Sequence, residues 1–246
     1  MPSLFQRLLS SVVLSLIAMT ISAAESTDGS EPARLPVYSA ENPLKIGMLL
    51  FDGFEMLDVF GPLEMFGMLG DRVSIVTLGM EPGLVRPRNG PAVQIERDLG
   101  DAGQLDLFII PGGVGTRSLV NNAAMISALK TVSEATPKVA SVCTGGALLA
   151  RTGLLDGLEA TTNKLAFDWV VSQGPQVLWV EEARWVDAGK FASSSGVSAG
   201  TDLALALIEQ YFGRVTAEDV AHRTEYVWND DPHNDPFART LEPLEK

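Results

Sequence analysis

The sequence predicts one α/β domain, a doubly wound, mostly parallel sheet with helices on both faces. Runs of strand length such as "LKIGMLLF" (44–51) and "LDLFIIPGG" (105–113) are apolar almost throughout. Strands covered on both faces have that character, whereas half-exposed strands alternate. These runs are separated by segments whose apolar residues recur at helical spacing, the order that builds parallel sheets. Three of the strand ends carry chemistry, "FDGFEMLD", "IIPGGVGT" and "SVCTGG". In such sheets ligands bind outside the carboxyl ends of the strands, where the strand order reverses.

Along the chain, residues 1–24 read as a secretory signal peptide. Arg7 is followed by the apolar "LLSSVVLSLIAMTIS" and a small-residue exit, Ser22-Ala23-Ala24. The apolar part is shorter than the ~20 residues of a bilayer span, so an uncleaved anchor is the lesser alternative. The polar, Pro-containing stretch 25–43 reads as a flexible leader. The domain is placed at 44–230, with a C-terminal tail at 231–246.

Within the domain, 44–51 is the first strand. Residues 56–69 have helical spacing, with Gly61-Pro62 expected to bend or restart the helix. A second strand is predicted at 72–79 and a weaker one at 92–98, after the turn-forming "PRNGP". The strand at 105–113 leads into a helix at 118–135, the strand "KVASVC" and a helix from Thr144. After residues 161–173 come strand-like "QVLWV" and "ARWVDAGKFASS". Helices at 197–212 and 215–228 close the domain.

The net charge is −13, and loss of Arg7 with a cleaved signal would make it −14. An acidic surface repels phosphates, which argues against nucleic-acid binding. Cys143 is the only cysteine, so no internal disulfide is available and the apolar core must hold the fold. Export, with no stable membrane association once the signal is removed, follows from the N-terminus.

Cys143 stands between a strand and a run of small residues, "KVASVCTGGALLA" (138–150). That arrangement fits a nucleophile elbow, a tight strand-to-helix turn that lifts the side chain at its apex. The helix starting at Thr144 is expected to lower the thiol pKa through its free amides and dipole. The alternative is an inert, buried cysteine. Gly112 and Gly113 offer backbone amides which, with that of Thr144, are expected to form an oxyanion-type hole. Asp58, just past the first strand, is the candidate acid/base partner, with Glu55 and Glu64 as competitors. A cysteine hydrolase normally uses a histidine. The chain has two, His222 and His233, and nothing in their spacing ties either to Cys143. No metal site and no cofactor are expected.

The segments "FDGFEMLDVFGPLEMF", "DLFIIPGG", "SVCTGGALLARTGLLDGLEATTN" and "SSSGVSAGTDLALALI" resemble the DJ-1/PfpI superfamily of class I glutamine-amidotransferase-like proteins. The resemblance runs from Lys45 to Gly213, and within the superfamily it leans towards the isonitrile hydratases. It implies a flavodoxin-like fold, a homodimer and a small-molecule substrate. Cys143 would be the nucleophile, Asp58 the acid/base and Thr144 a substrate-binding residue. The implied reaction is cofactor-free hydration of an isonitrile to an N-substituted formamide. A non-enzymatic small-molecule binder or thiol oxidation sensor is the alternative of a different class. A glyoxalase-type hydratase is a third, favoured if His222 reaches the sulfur. Relatives commonly have histidine where this chain has Asn163, a possible pocket residue, and the protease-like branch has histidine where this chain has Thr144. Similar sequences form the sensory half of AraC-type regulators, but the residues after the last helix are too few for a helix-turn-helix pair.

Overall fold

The first apolar run forms β1 (Leu44–Leu49), an interior strand of a seven-stranded sheet. Parallel partners flank it, β2 (Val73–Gly79) on one side and β6 (Leu107–Ile110) on the other. Beyond β6 lie β7 (Lys138–Val142) and β11 (Phe191–Ser194), both parallel. The sheet ends there in β10 (Trp185–Ala188), which pairs antiparallel with β11. At the opposite edge β5 (Arg97–Asp98) pairs with β2. Every residue of β6 and β7 is buried, the cover on both faces that their apolar sequence requires. The computed structural model describes residues 37–238. The predicted signal segment, residues 25–36 of the leader and residues 239–246 lie outside the described residues.

From β1 the chain crosses through α1 (Met56–Gly67) to β2. From β6 it turns the other way, through α2 (Thr116–Leu119) and α3 (Ala123–Ala135), to β7. Right-handed crossovers in opposite directions place their helices on opposite faces. Accordingly α1 packs with α6 (Ala199–Phe212), which packs with α7 (Arg214–Arg223). On the other side α2, α3 and α5 (Phe167–Gln173) pack on α4 (Gly145–Arg151). The strand order therefore reverses between β1 and β6, which fixes where a ligand crevice opens. Two small accessory sheets complete the fold, β3 (Gly83–Val85) with β4 (Val93–Ile95) and β8 (Glu159–Ala160) with β9 (Leu178–Trp179).

Several elements depart from the sequence reading. One helix, α1, runs through Pro62 without a restart. Pro62 and Gly61 are buried, and a Cβ on Gly61 would lie 2.5 Å from Thr201 Oγ1 of α6. Close packing on α6 thus offsets the hydrogen bond that Pro62 cannot make. The helix expected at 118–135 is two, because Asn122 caps a new start by accepting from the Met125 amide (3.1 Å). The strand expected at 92–98 divides at Glu96, whose amide turns to the Thr77 carbonyl (3.0 Å). Its halves serve different sheets, β5 pairing with β2 and β4 with β3, a strand that had not been foreseen.

The domain also extends past both predicted boundaries. Tyr38, placed in the leader, packs edge-on against Tyr211 at 5.7 Å. In the predicted tail the Pro232 carbonyl accepts from the Arg184 amide (2.8 Å), and Asp235 is buried and paired with Arg184. Residues 231–238 are therefore strapped to the domain rather than trailing from it.

Candidate active site

The carboxyl ends of β1, β6 and β7 bring Asp58, the Gly112-Gly113 turn and Cys143 together at the reversal point. Cys143 follows β7 directly and has φ 56, a left-handed conformation that costs a non-glycine residue about 1–3 kcal/mol. Its backbone is tied on each side. The amide donates to the Ser194 and Ser195 carbonyls (3.2 and 3.1 Å), and the carbonyl accepts from Thr162 Oγ1 (2.7 Å). Gly145 allows α4 to begin there, since a Cβ would sit 2.2 Å from the Ile110 carbonyl oxygen. These constraints make the turn the elbow that the small residues predicted.

Asp58 is wholly buried near the start of α1. Its Oδ2 accepts from the Gly112 amide (2.8 Å), and its Oδ1 has no hydrogen-bond partner. Burial raises its pKa to about 7. The Gly112 bond opposes that rise, and the nearby Glu55 charge adds to it. The Cys143 thiol is pushed up too, first by burial and then by the Asp58 charge. Amides of Val197 and Thr144 donate to the sulfur and pull the other way without prevailing. The expected lowering of the thiol pKa by the helix start is thus overturned, because desolvation at this depth outweighs the donors. What results is a buried acid pair that holds at least one proton at neutral pH.

The glycine turn also acts differently from the oxyanion hole expected of it. The Gly112 amide is engaged by Asp58, and the Gly113 amide by Thr144 Oγ1 (3.0 Å). Both amides therefore hold side chains, those of Asp58 and Thr144. A Cβ on Gly112 would lie 2.6 Å from both Thr144 N and Thr144 Oγ1 and 2.8 Å from Asp58 Oδ2, so only glycine fits between them. Thr144 lies 3.2 Å from Thr116 Oγ1, which donates to the Gly113 carbonyl (2.7 Å). The donors left to the sulfur are the Thr144 amide and that of Val197, which itself has φ 40. Val197 was missed as a site residue, although its segment "SSSGVSAG" follows β11 much as "CTGG" follows β7.

Asn163 lies beside the elbow. With Ser195, Gly196, Val197 and Phe237 it lines a cavity of about 260 Å³. Its Oδ1 caps the following turn by accepting from the Ala166 amide (3.0 Å). Of the competing acids, Glu64 is exposed and Glu55 is half-buried next to Asp58. His222 and His233 are both exposed. The site thus joins the buried Cys143 sulfur to one buried carboxyl, Asp58, of raised pKa.

A profile of the DJ-1/PfpI family matches residues 44–210. The chain is 32% identical over 184 residues to the isonitrile hydratase of Pseudomonas putida, covering 74% of this chain and 78% of that enzyme. It is 29% identical over 178 residues to the HTH-type transcriptional regulator GbdR of Pseudomonas aeruginosa, covering 70% of this chain but 48% of the regulator. The chain thus spans about half of that relative. The crystal structure of a ThiJ/PfpI family protein from Pseudomonas syringae superposes with a TM-score of 0.70 at 26% identity, covering 81% of this chain and 80% of the other.

Proposed function

The chain belongs to the DJ-1/PfpI family, and on that footing we propose that it is a cofactor-independent hydratase converting a small isonitrile to an N-substituted formamide. The observation that carries the reading is a wholly buried carboxyl, Asp58, coupled to the buried Cys143 sulfur, while both histidines are exposed. As sulfur bonds to the terminal isonitrile carbon, its proton passes to Asp58. Asp58 returns that proton to the same carbon, giving an enzyme-bound thioimidate. Water then adds to this carbon with Asp58 as base, one of its protons reaching nitrogen. The carbon–sulfur bond breaks, the formamide leaves, and Asp58 reprotonates the sulfur. The Val197 and Thr144 amides hold the sulfur while it bears charge.

The test is formamide formation from an aliphatic isonitrile. Cys143→Ala should abolish it, and Asp58→Asn should lower kcat by roughly 10²–10⁴-fold, the range for loss of an acid/base group. Because protonated Asp58 cannot take the thiol proton, kcat/KM should fall as pH drops below about 7. Wild-type protein inert towards isonitriles would sink the reading. Export and a homodimer form part of the proposal. The mature N-terminus should lie near Glu25, and light scattering should give twice the chain mass.

A non-enzymatic small-molecule binder is the second reading. It draws on the likeness to a transcriptional regulator and on burial that keeps the thiol protonated. Binding without turnover, unchanged in Cys143→Ala, would favour it.

A further inference from the structure

Helix α2 begins three residues after the Gly112-Gly113 turn, and its first residue, Thr116, is buried and bonded to the Gly113 carbonyl (2.7 Å). That anchor fixes the next residue, Arg117, at the exposed rim of the site. The Arg117 guanidinium lies over the Trp169 ring of α5, 3.4 Å from its centroid. Stacking on an aromatic face leaves the N–H fork of an arginine free at its edges. Among the described residues no carboxylate lies within ion-pair distance of Arg117 and no acceptor takes a hydrogen bond from its side chain. Its neighbour Thr116 touches Thr144, the residue after Cys143 (3.2 Å between the hydroxyls); partial burial lowers the Arg117 pKa, and the charge of a Cys143 thiolate opposes that fall. At net charge −13 the molecule as a whole repels anions, so an unpaired, pre-oriented cation beside the nucleophile is a local exception.

We propose that Arg117 binds a carboxylate on the substrate attacked by Cys143, so that the preferred substrate is a small isonitrile bearing a carboxylate. The claim deepens the hydratase reading and rests on Cys143 as nucleophile. Trp169 holds the guanidinium plane so that its fork can meet the carboxylate with two parallel hydrogen bonds.

Two measurements test it, and they separate its failure from that of the hydratase reading. In the first, Cys143 of the full chain is alkylated with iodoacetate or iodoacetamide. In both reactions sulfur displaces iodide from the same carbon, and the reagents differ in charge. The iodoacetate-to-iodoacetamide rate ratio should fall by roughly 10-fold or more in Arg117→Gln, as expected for loss of a charge-assisted pair. Arg117→Lys, which keeps the charge without the fork, should retain part of the ratio. An unchanged ratio in Arg117→Gln, in a variant that melts with the wild type, overturns the proposal. In the second, kcat/KM is compared for isocyanoacetate and its methyl ester. The wild type should favour the acid, and Arg117→Gln should lose that preference through KM. If the alkylation ratio moves but neither isonitrile is turned over, the hydratase reading falls and the anion site stands. If both are turned over equally and the ratio does not move, the anion site falls and the hydratase stands.

Discussion

Asp58 and Thr144 show how much of the site depends on single atoms. In the unfolded chain Asp58 ionises near 3.9, whereas in the folded protein it does so at about 7. Between those values the folded state holds the extra proton, so stability falls as pH rises from about 4 through 7. Asp58→Asn should therefore melt above the wild type at pH 8.5, by roughly 1–3 kcal/mol in unfolding free energy, and match it near pH 4. A denaturant titration at both pH values checks the sign. Thr144→Val removes the acceptor of the Gly113 amide and leaves that amide unpaired. About 1–3 kcal/mol of stability should go with it, together with activity as the glycine turn drifts from Asp58. Cys143, Asp58 and the glycine turn were legible in the sequence because strand-to-helix turns need small residues and ligands gather at strand ends. The direction of the thiol shift was not. A helix start can be read from "CTGG", but the depth at which it is buried cannot.

At the level of elements, the elbow depends on α4 lying against the end of β6. Gly145→Ala would put a methyl group 2.2 Å from the Ile110 carbonyl oxygen, so the helix must move. Overpacking of this kind costs about 1–3 kcal/mol, and here it should also lower the alkylation rate of Cys143, measurable with iodoacetamide. Long apolar strands such as β1, β6 and β7 were readable from composition, since both faces are covered. The short accessory strands β3 and β8 were not. The three residues of β3 gain a partner only when "VQI" folds back on them, a pairing that no local pattern announces. The break at Asn122 turned on one cap, and the unbroken α1 on packing against α6. Both are tertiary outcomes that override local propensity.

At the scale of the whole molecule, the strap at 231–238 reaches charges that would otherwise be costly to bury. The Arg184 guanidinium bonds Asp202 Oδ2 at 2.7 and 2.9 Å and pairs with Asp235 at 3.5 Å, with both carboxylate side chains fully buried. Asp235→Ala should cost roughly 3 kcal/mol, as breaking a buried pair does, and truncation before Asp231 should cost more. Thermal melting at constant pH would show both. No local pattern announces this, because "NDDPHNDPF" has the composition of a solvated tail, and Arg184 and Lys164, far back in the chain, give Asp235 a reason to fold inward. The two ends of the main sheet have a different consequence. One edge strand, β5, has two residues, both charged, and the other, β10, runs against its neighbour and carries Asp187, which ion-pairs with Lys138. Neither margin presents a long, flat, apolar ladder to another chain, so a concentrated solution of the folded protein should resist fibril growth and thioflavin-positive aggregation.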